Sequence, residues 1–536
     1  MTERDQADQR ALMNRRVLIV TSLAAVGIGM AASIFATPFG LGVTPDSLLY
    51  LHAADSLRQG LGFRVPADDG SLVPLTHYPP LFPATLALAS SVGLDLLSAA
   101  RAVSLVLTAA NILAVTVATH AFTRSAGAAA AAAFVIALSV DMLFLNTAIW
   151  SDGEFIFLAI VCLVLVTTYL HGRGRRYLVL GALAGALSWL SRWVGGAVVV
   201  AAAAGILLLG QGRAVRKLTE GMLFILIASA PPLAWMSYNA TVAGTATNRT
   251  IELSPLSMDH AVALVQTMSS WLLPATNRIY VFAGQDMVVT ICGTTAVLAL
   301  VALAHRFVVP TLASRTALVR TPILFLVFMF VYVAALLAAT SMFDSSMPLD
   351  NRMLAPAYVA LVIVAAFILH AAFRATRRYA WRVAGVGVLT AFLLVNAGVT
   401  IGAGTLFRRE GRGFVGPAWQ YPVLQRALAE VGPLTPLYSN HPGGVEFALG
   451  KRAQAASEDT LARGIAGGGV VVLVYFDDPR SYAPRNAEAD KMAPSTAEDR
   501  VKLLRGLPAT LVAHERNGWV YRLTSSSDQG GVAPTR

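Results

Sequence analysis

Between Thr44 and Pro83 the chain carries Asp46, a few positions beyond its first long apolar run, and a His77-Tyr78-Pro79-Pro80 element near the other end of the same segment. An ionisable side chain at a membrane surface is costly unless it has a partner or a task, which makes Asp46 the first candidate for chemistry. Thr44 is placed to cap a helix with Pro45 at its first position. Leu48, Leu49, Leu51, His52, Ser56 and Leu57 then recur near helical spacing until Gly60 and Gly62 stop the pattern. Asp46 falls in the first turn, where backbone amides favour the ionised carboxylate and suit it to accept a proton as a general base. The plainer alternative is that it only complements the helix dipole.

Other charged residues stand at the ends of later apolar runs. Asp152 and Glu154 follow Trp150 where one run begins, Arg192 follows Ser191 between two runs, and Arg352 precedes another. Arginines in such places can grip phosphate oxygens in bidentate fashion, or they can point at lipid headgroups. Three uses are open to Asp152 and Glu154: positioning an acceptor, sharing a divalent cation with Asp46, or holding Arg192 in place. The last is the expectation for Glu154. Metal dependence stays open, because no ligand cluster has a diagnostic spacing. Cys162 and Cys292 both lie in apolar runs and read as small packing residues.

The elements that must position these groups are membrane helices. Hydrophobic residues make up 56% of the 536 and charged residues 13%, with a mean hydropathy of +0.62. A soluble chain is nearer about 45–50% apolar and about 25% charged. The net charge of +11 comes from arginine clusters between apolar runs, the ordinary mark of cytoplasmic loops, so nucleic-acid binding is not expected. A polar segment, residues 1–16, ends in Arg15 and Arg16 and precedes an uncleaved first span over 17–35. Further spans are expected near 102–121, 126–148, 153–170, 177–191, 193–210, 218–238, 287–304, 321–340, 353–372 and 383–404, about eleven in all by length. The basic clusters alternate onto one face. This puts the N-terminus in the cytoplasm, and the first loop (36–100), the turns at 150–153 and 191–193 and everything after about 405 outside.

From about Gly411 the pattern changes to mixed segments bounded by Gly and Pro, which read as an extracytoplasmic α/β domain over 406–536. Helical periods are expected over 423–431, 445–449 and 496–505. Strands are expected at 436–439 and, as a continuous β-branched run, at 470–476. Segments 509–515 and 519–523 read as a hairpin closing around Arg516, Asn517 and Gly518.

The order of these elements resembles the GT-C superfamily of glycosyltransferases, especially the branch related to protein O-mannosyltransferases and the bacterial aminoarabinose and lipopolysaccharide-core sugar transferases. Thr44-Pro45-Asp46-Ser47-Leu48-Leu49-Tyr50 is similar to the acidic motif after that family's first span. His77-Tyr78-Pro79-Pro80-Leu81-Phe82-Pro83 resembles the Pro-Pro-aromatic element that ends the same loop. Ser151-Asp152-Gly153-Glu154-Phe155 is similar to a Ser-Glu motif opening the fourth span, with Asp152 in place of the usual Glu. Leu190-Ser191-Arg192-Trp193 resembles the Thr-Arg turn after the fifth, and Asp350-Asn351-Arg352-Met353-Leu354-Ala355-Pro356 a late Arg-x-Leu-x-Pro element. Some relatives have Lys where this chain has Tyr78.

The resemblance covers residues 15–405 and implies a transmembrane glycosyltransferase module over 17–405 in a bacterial inner membrane. It implies an inverting transfer of a hexosyl or pentosyl group from a polyprenyl-phosphate donor to a glycan, lipid or protein acceptor at the outer face. Asp46 would be the base, with Arg192 and Arg352, and more weakly His77 and Tyr78, on the donor phosphate, and with Asp152 and Glu154 in the same site. Two other classes compete: a transporter or flippase of lipid-linked sugars, for which no internal repeat is visible, and a non-catalytic glycan-binding relative.

Overall fold

The computed structural model describes residues 3–67, 71–274, 286–311, 318–343, 347–432, 435–466, 470–477 and 496–524. Each of the eleven apolar runs expected from the sequence contains helix. Among the described residues, seven helices are long and apolar enough to cross a membrane: Leu12–Ala36, Leu96–Thr123, Asp152–Leu170, Ala214–Ala243, Ile323–Met342, Asn351–Ala375 and Tyr379–Glu410. The run at 126–148 is two helices, Ala126–Ala137 and Val140–Asn146, bent by 57°. Ser139 makes that break by accepting from the Met142 N–H and starting a new helix. Shorter helices account for the rest: Arg175–Ser191, Gly196–Leu209 and the apolar stretch Gly293–Phe307. Outward side chains such as Val106, Leu208, Leu226 and Phe330 are apolar and exposed, as a lipid-facing bundle requires. Cys162 is buried and free, and the side chain of Cys292 lies outside the described ones.

One end of the bundle is covered by the segment that carries Asp46. Thr44 caps the helix Pro45–Arg58, its hydroxyl accepting from the Ser47 N–H, with Pro45 in the first turn as the sequence predicts. A short antiparallel pair follows, β1 (Arg64–Pro66) and β2 (Leu72–Pro74), and then the helix Leu81–Ser90.

The C-terminal part forms a five-stranded sheet in the order β4-β3-β5-β7-β6. Its strands are β3 (Leu437–Ser439), β4 (Gln454–Ala455), β5 (Val471–Phe476), β6 (Ala509–Glu515) and β7 (Gly518–Leu523). Strand β3 runs parallel to β4 and β5, while β7 is antiparallel to both β5 and β6. Strand β5 is buried along its whole length, which explains its uninterrupted apolar sequence. The short β4 and the helix Glu458–Ala466 carry no expectation from the sequence; the first is only two residues long.

This part does not stand apart from the rest. Leu48, Tyr50 and Ala54 of the Pro45–Arg58 helix share one apolar core with Phe414, Trp419, Tyr421, Leu424 and Val445. Val43 pairs with Gly413 and Gly42 with Ala148, so three remote stretches of chain meet behind Asp46. His52 Nε2 lies 3.2 Å from Glu446 Oε1 across the same contact. Gly413 is required there: its φ is +58°, and a Cβ would sit 2.1 Å from the Val43 carbonyl oxygen. Gly413→Ala is expected to cost on the order of 1–3 kcal/mol, read as a lower midpoint of thermal unfolding in detergent. An unchanged midpoint would show that this junction tolerates separation.

Candidate active site

Four helix ends converge at one place, among them the start of the Pro45–Arg58 helix. Asp46 lies in the first turn of that helix, Asp152 opens Asp152–Leu170, Arg352 lies in the first turn of Asn351–Ala375, and Arg192 terminates Arg175–Ser191. Helix N-termini favour the two carboxylates, and a helix C-terminus favours the Arg192 cation. Arg352 sits against its own helix dipole. Its neighbours offset this: Asp350 caps the same helix by accepting from the Met353 N–H at 2.9 Å, and two further carboxylates face the guanidinium.

These side chains form one continuous charged chain. Arg192 Nη1 lies 2.7 Å from Asp152 Oδ1. Asp152 Oδ2 lies 3.2 Å from Arg352 Nε, and Arg352 Nη2 lies 2.8 Å from Asp46 Oδ2. The Tyr78 hydroxyl completes the series by donating to Asp46 Oδ1 at 2.8 Å. Asp152 and Arg352 are almost wholly enclosed, whereas the Asp46 side chain keeps 30% exposure and is the carboxylate that a bound molecule can reach. Burial by itself raises the Asp46 pKa. Arg352 above all, and then the Tyr78 hydrogen bond, outweigh it and hold the carboxyl below the ordinary range, so Asp46 is an anion at neutral pH. Burial and the nearby Asp46 charge push the Tyr78 phenol up, and it stays a protonated donor.

A cavity of about 810 Å³ opens beside this series. Asp46, His77, Tyr78, Arg192 and Arg352, all selected from the sequence, line its polar end. His77 stands edge-on to Tyr78 with ring centroids 4.6 Å apart, and its carbonyl accepts from the Trp193 indole at 2.9 Å. Apolar side chains also line it: Val200, Met236, Val331, Ala335 and Ala339 come from three hydrophobic helices, and Phe343 follows the last of them. Such a space suits a molecule with an ionic head and a hydrocarbon tail.

Asp152 and Glu154, expected beside the substrate, lie one layer behind the cavity, 1% and 6% exposed. The residue that holds Arg192 is Asp152 and not Glu154. Glu154 accepts from the Thr85 hydroxyl at 2.5 Å and from the Ser191 hydroxyl at 2.8 Å, tying the helix Leu81–Ser90 to the turn before Arg192. The difference has a simple cause: residues two apart on a helix point in different directions, and only Asp152 faces the arginines. Among the described residues, no three of His, Cys, Asp and Glu converge as a metal ion would need.

Three contributors escaped the sequence reading. Arg249 and Arg412 also line the cavity, and the face of Trp150 carries the Arg352 guanidinium at 3.9 Å from the ring centroid. Arg412 does have a local mark, glycine on both sides, but Arg408 and Arg409 stand just before it and carry the same charge. Trp150 reads in sequence only as the turn before Asp152.

No protein-family model and no curated protein sequence matches the chain. Solved structures do resemble it. ArnT from Cupriavidus metallidurans, bound to undecaprenyl phosphate, superposes with a TM-score of 0.57 at 14% identity, covering 94% of this chain and 97% of that one. The archaeal oligosaccharyltransferase AglB from Archaeoglobus fulgidus, in complex with an inhibitory peptide and a dolichol-phosphate, gives 0.52 at 12% identity, over 95% and 74%. The mycobacterial arabinofuranosyltransferase AftD gives 0.54 at 17% identity over 96% of this chain and 42% of its own. All three belong to the GT-C superfamily, and the fold of this chain, from its first membrane helix to its C-terminal sheet, is the GT-C fold.

Proposed function

We propose that this protein is an inverting glycosyltransferase that takes a sugar from a polyprenyl-phosphate donor and delivers it to a hydroxyl-bearing acceptor at the membrane surface. The observation that carries the proposal is the cavity itself. It has a reachable anionic carboxylate and two arginines together with a lining of apolar side chains from membrane helices. A lipid-linked phosphate keeps its chain in the bilayer and its head at these charged groups. The neighbours ArnT and AglB, whose structures hold undecaprenyl phosphate and a dolichol-phosphate, support the same donor class.

In this reading the acceptor hydroxyl approaches Asp46, which takes its proton as the oxygen attacks the sugar C1 from the face opposite the phosphate. The C1–O bond to phosphate breaks, its electrons go to the phosphate oxygen, and the anomeric configuration inverts. Arg192 and Arg352 stabilise the charge that grows on that oxygen. Arg352 has contacts with both the base and Asp152, so phosphate competes with Asp46 for the same guanidinium. As the donor binds, Asp46 gives up part of its ion pair and gains basicity. The site faces away from the cytoplasm, in agreement with the arginine clusters at the other loops.

The test is transfer from a panel of radiolabelled polyprenyl-phosphate sugars by purified protein in proteoliposomes, with the anomeric configuration of the product read by NMR. Product of inverted configuration supports the proposal. Retention overturns the single-displacement mechanism. Movement of the lipid-linked sugar across the bilayer without transfer makes the protein a carrier.

A further inference from the structure

Trp150 lies in the short connection between the helices Val140–Asn146 and Asp152–Leu170, is 3% exposed and stays outside the cavity lining. A buried tryptophan needs one acceptor for its indole N–H, and any carbonyl would serve. Here the acceptor is the Thr44 hydroxyl at 3.0 Å, the cap of the helix that carries Asp46. The ring face, meanwhile, carries the Arg352 guanidinium at 3.9 Å. The adjoining Ile149 adds to the link with Asp46: its carbonyl accepts from the Ser47 hydroxyl at 3.0 Å, and its N–H donates to Gly42. Phe144 packs edge-on against the indole at 5.3 Å, and the Arg412 guanidinium lies 5.0 Å from the ring centroid. Arg412 is itself fixed by a hydrogen bond to the Thr147 hydroxyl at 2.6 Å.

We propose that Trp150 is a positioning residue that joins the two halves of the site, its N–H setting the helix of the base and its face setting the arginine that meets the phosphate. Asp46 and Arg352 come from stretches of chain far apart, and one rigid ring touches the support of each. A tryptophan that only filled space would be replaceable at a cost in stability alone. This one fixes the plane of Arg352, so that Nη2 reaches Asp46 while Nε reaches Asp152. The proposal rests on the functional reading above.

The experiment compares wild type, Trp150→Leu and Trp150→Phe, each checked by size-exclusion chromatography, for the pH dependence of kcat/KM and for binding of undecaprenyl phosphate. Arg352, Tyr78 and Arg192 are the groups that act on the Asp46 charge. In wild type the rate is expected to hold as the pH falls through the ordinary carboxylate range, because the carboxyl is held below it. Trp150→Leu releases Arg352, and burial then raises the Asp46 pKa. The acid limb moves up by about one pH unit and undecaprenyl phosphate binds about tenfold more weakly. Trp150→Phe keeps a ring beneath Arg352 but loses the N–H, so kcat falls about tenfold while the acid limb and phosphate affinity stay near wild type. A folded Trp150→Leu with an unmoved acid limb and unchanged affinity overturns the proposal. If the leucine variant does not fold, Trp150→Phe decides: wild-type kcat overturns it, and reduced kcat at unchanged thermal stability supports it. An absence of transfer by wild type with every donor counts against the functional reading, while weakened phosphate binding in the leucine variant still reports the hold on Arg352.

Discussion

Replacing Asp46 with Asn lowers sugar transfer by at least about a hundredfold while the protein stays folded, the loss expected when a general base is removed. The amide keeps an oxygen to accept the Tyr78 hydroxyl, so the cap, the helix Pro45–Arg58 and the apolar core beneath it are retained. What is lost is the anion. The pH profile gives a second, independent reading. Arg352 and Tyr78 hold the folded-state pKa below its ordinary value, so the base form, and with it the rate, persists as the pH falls through the ordinary carboxylate range and is lost only below it. The sign for stability is the same: a depressed carboxyl favours the folded state above its unfolded pKa, and this contribution fades as the pH falls through the folded one. Equal rates in wild type and Asp46→Asn would remove Asp46 from the mechanism. An acid limb well above pH 5 would assign the limiting base to another group.

The second large effect belongs to Arg352. Arg352→Lys keeps a positive charge but not the planar fork that reaches Asp46 through Nη2 and Asp152 through Nε. An ammonium group can meet one of these carboxylates and loses the other, although Asp152 keeps Arg192 and Asp46 keeps the Tyr78 hydroxyl. Transfer is expected to fall by about 10² to 10³ in kcat/KM, as for loss of a donor that stabilises transition-state charge. Thermal stability falls as well, by about 1–3 kcal/mol for a lost hydrogen bond between charged groups. Arg192→Lys is the useful contrast. Arg192 faces one carboxylate, Asp152, and otherwise the Met353 sulfur, so its loss is expected to be nearer tenfold. Initial rates and differential scanning fluorimetry on the two variants test the ranking. Equal, small effects would show that neither guanidinium carries the developing charge.

Much of this was legible in the sequence because the signals are local. Thr44, Pro45 and Asp46 announce a capped helix start within three residues, and that helix forms. Each of the eleven apolar runs holds helix, although only seven described helices are long enough to cross a membrane, and the alternation of turns and β-branched stretches after Gly411 gives four of the five strands of the sheet. Asp46, His77, Tyr78, Arg192 and Arg352, chosen from motifs, all line one cavity. The division of labour between Asp152 and Glu154 was not legible. Both are acidic and in the same first turn, and direction around a helix is settled by what packs on each side. Trp150 and Arg412 were invisible for a related reason. They act through contacts between stretches hundreds of residues apart, and isolated pairings such as Val43 with Gly413 leave no period in a sequence.

That pairing has a consequence for how the protein comes into being. The ribosome delivers Asp46 early, and the segment around Gly413 follows only after nearly all the membrane helices have been made. At about 5–20 residues per second, the interval is on the order of half a minute. During it the helix of the base has no finished apolar floor, since Phe414, Trp419 and Leu424 have yet to arrive. A nascent chain therefore holds Asp46 long before the apolar floor beneath its helix is closed, and the proposed chemistry waits for the segment after Gly411.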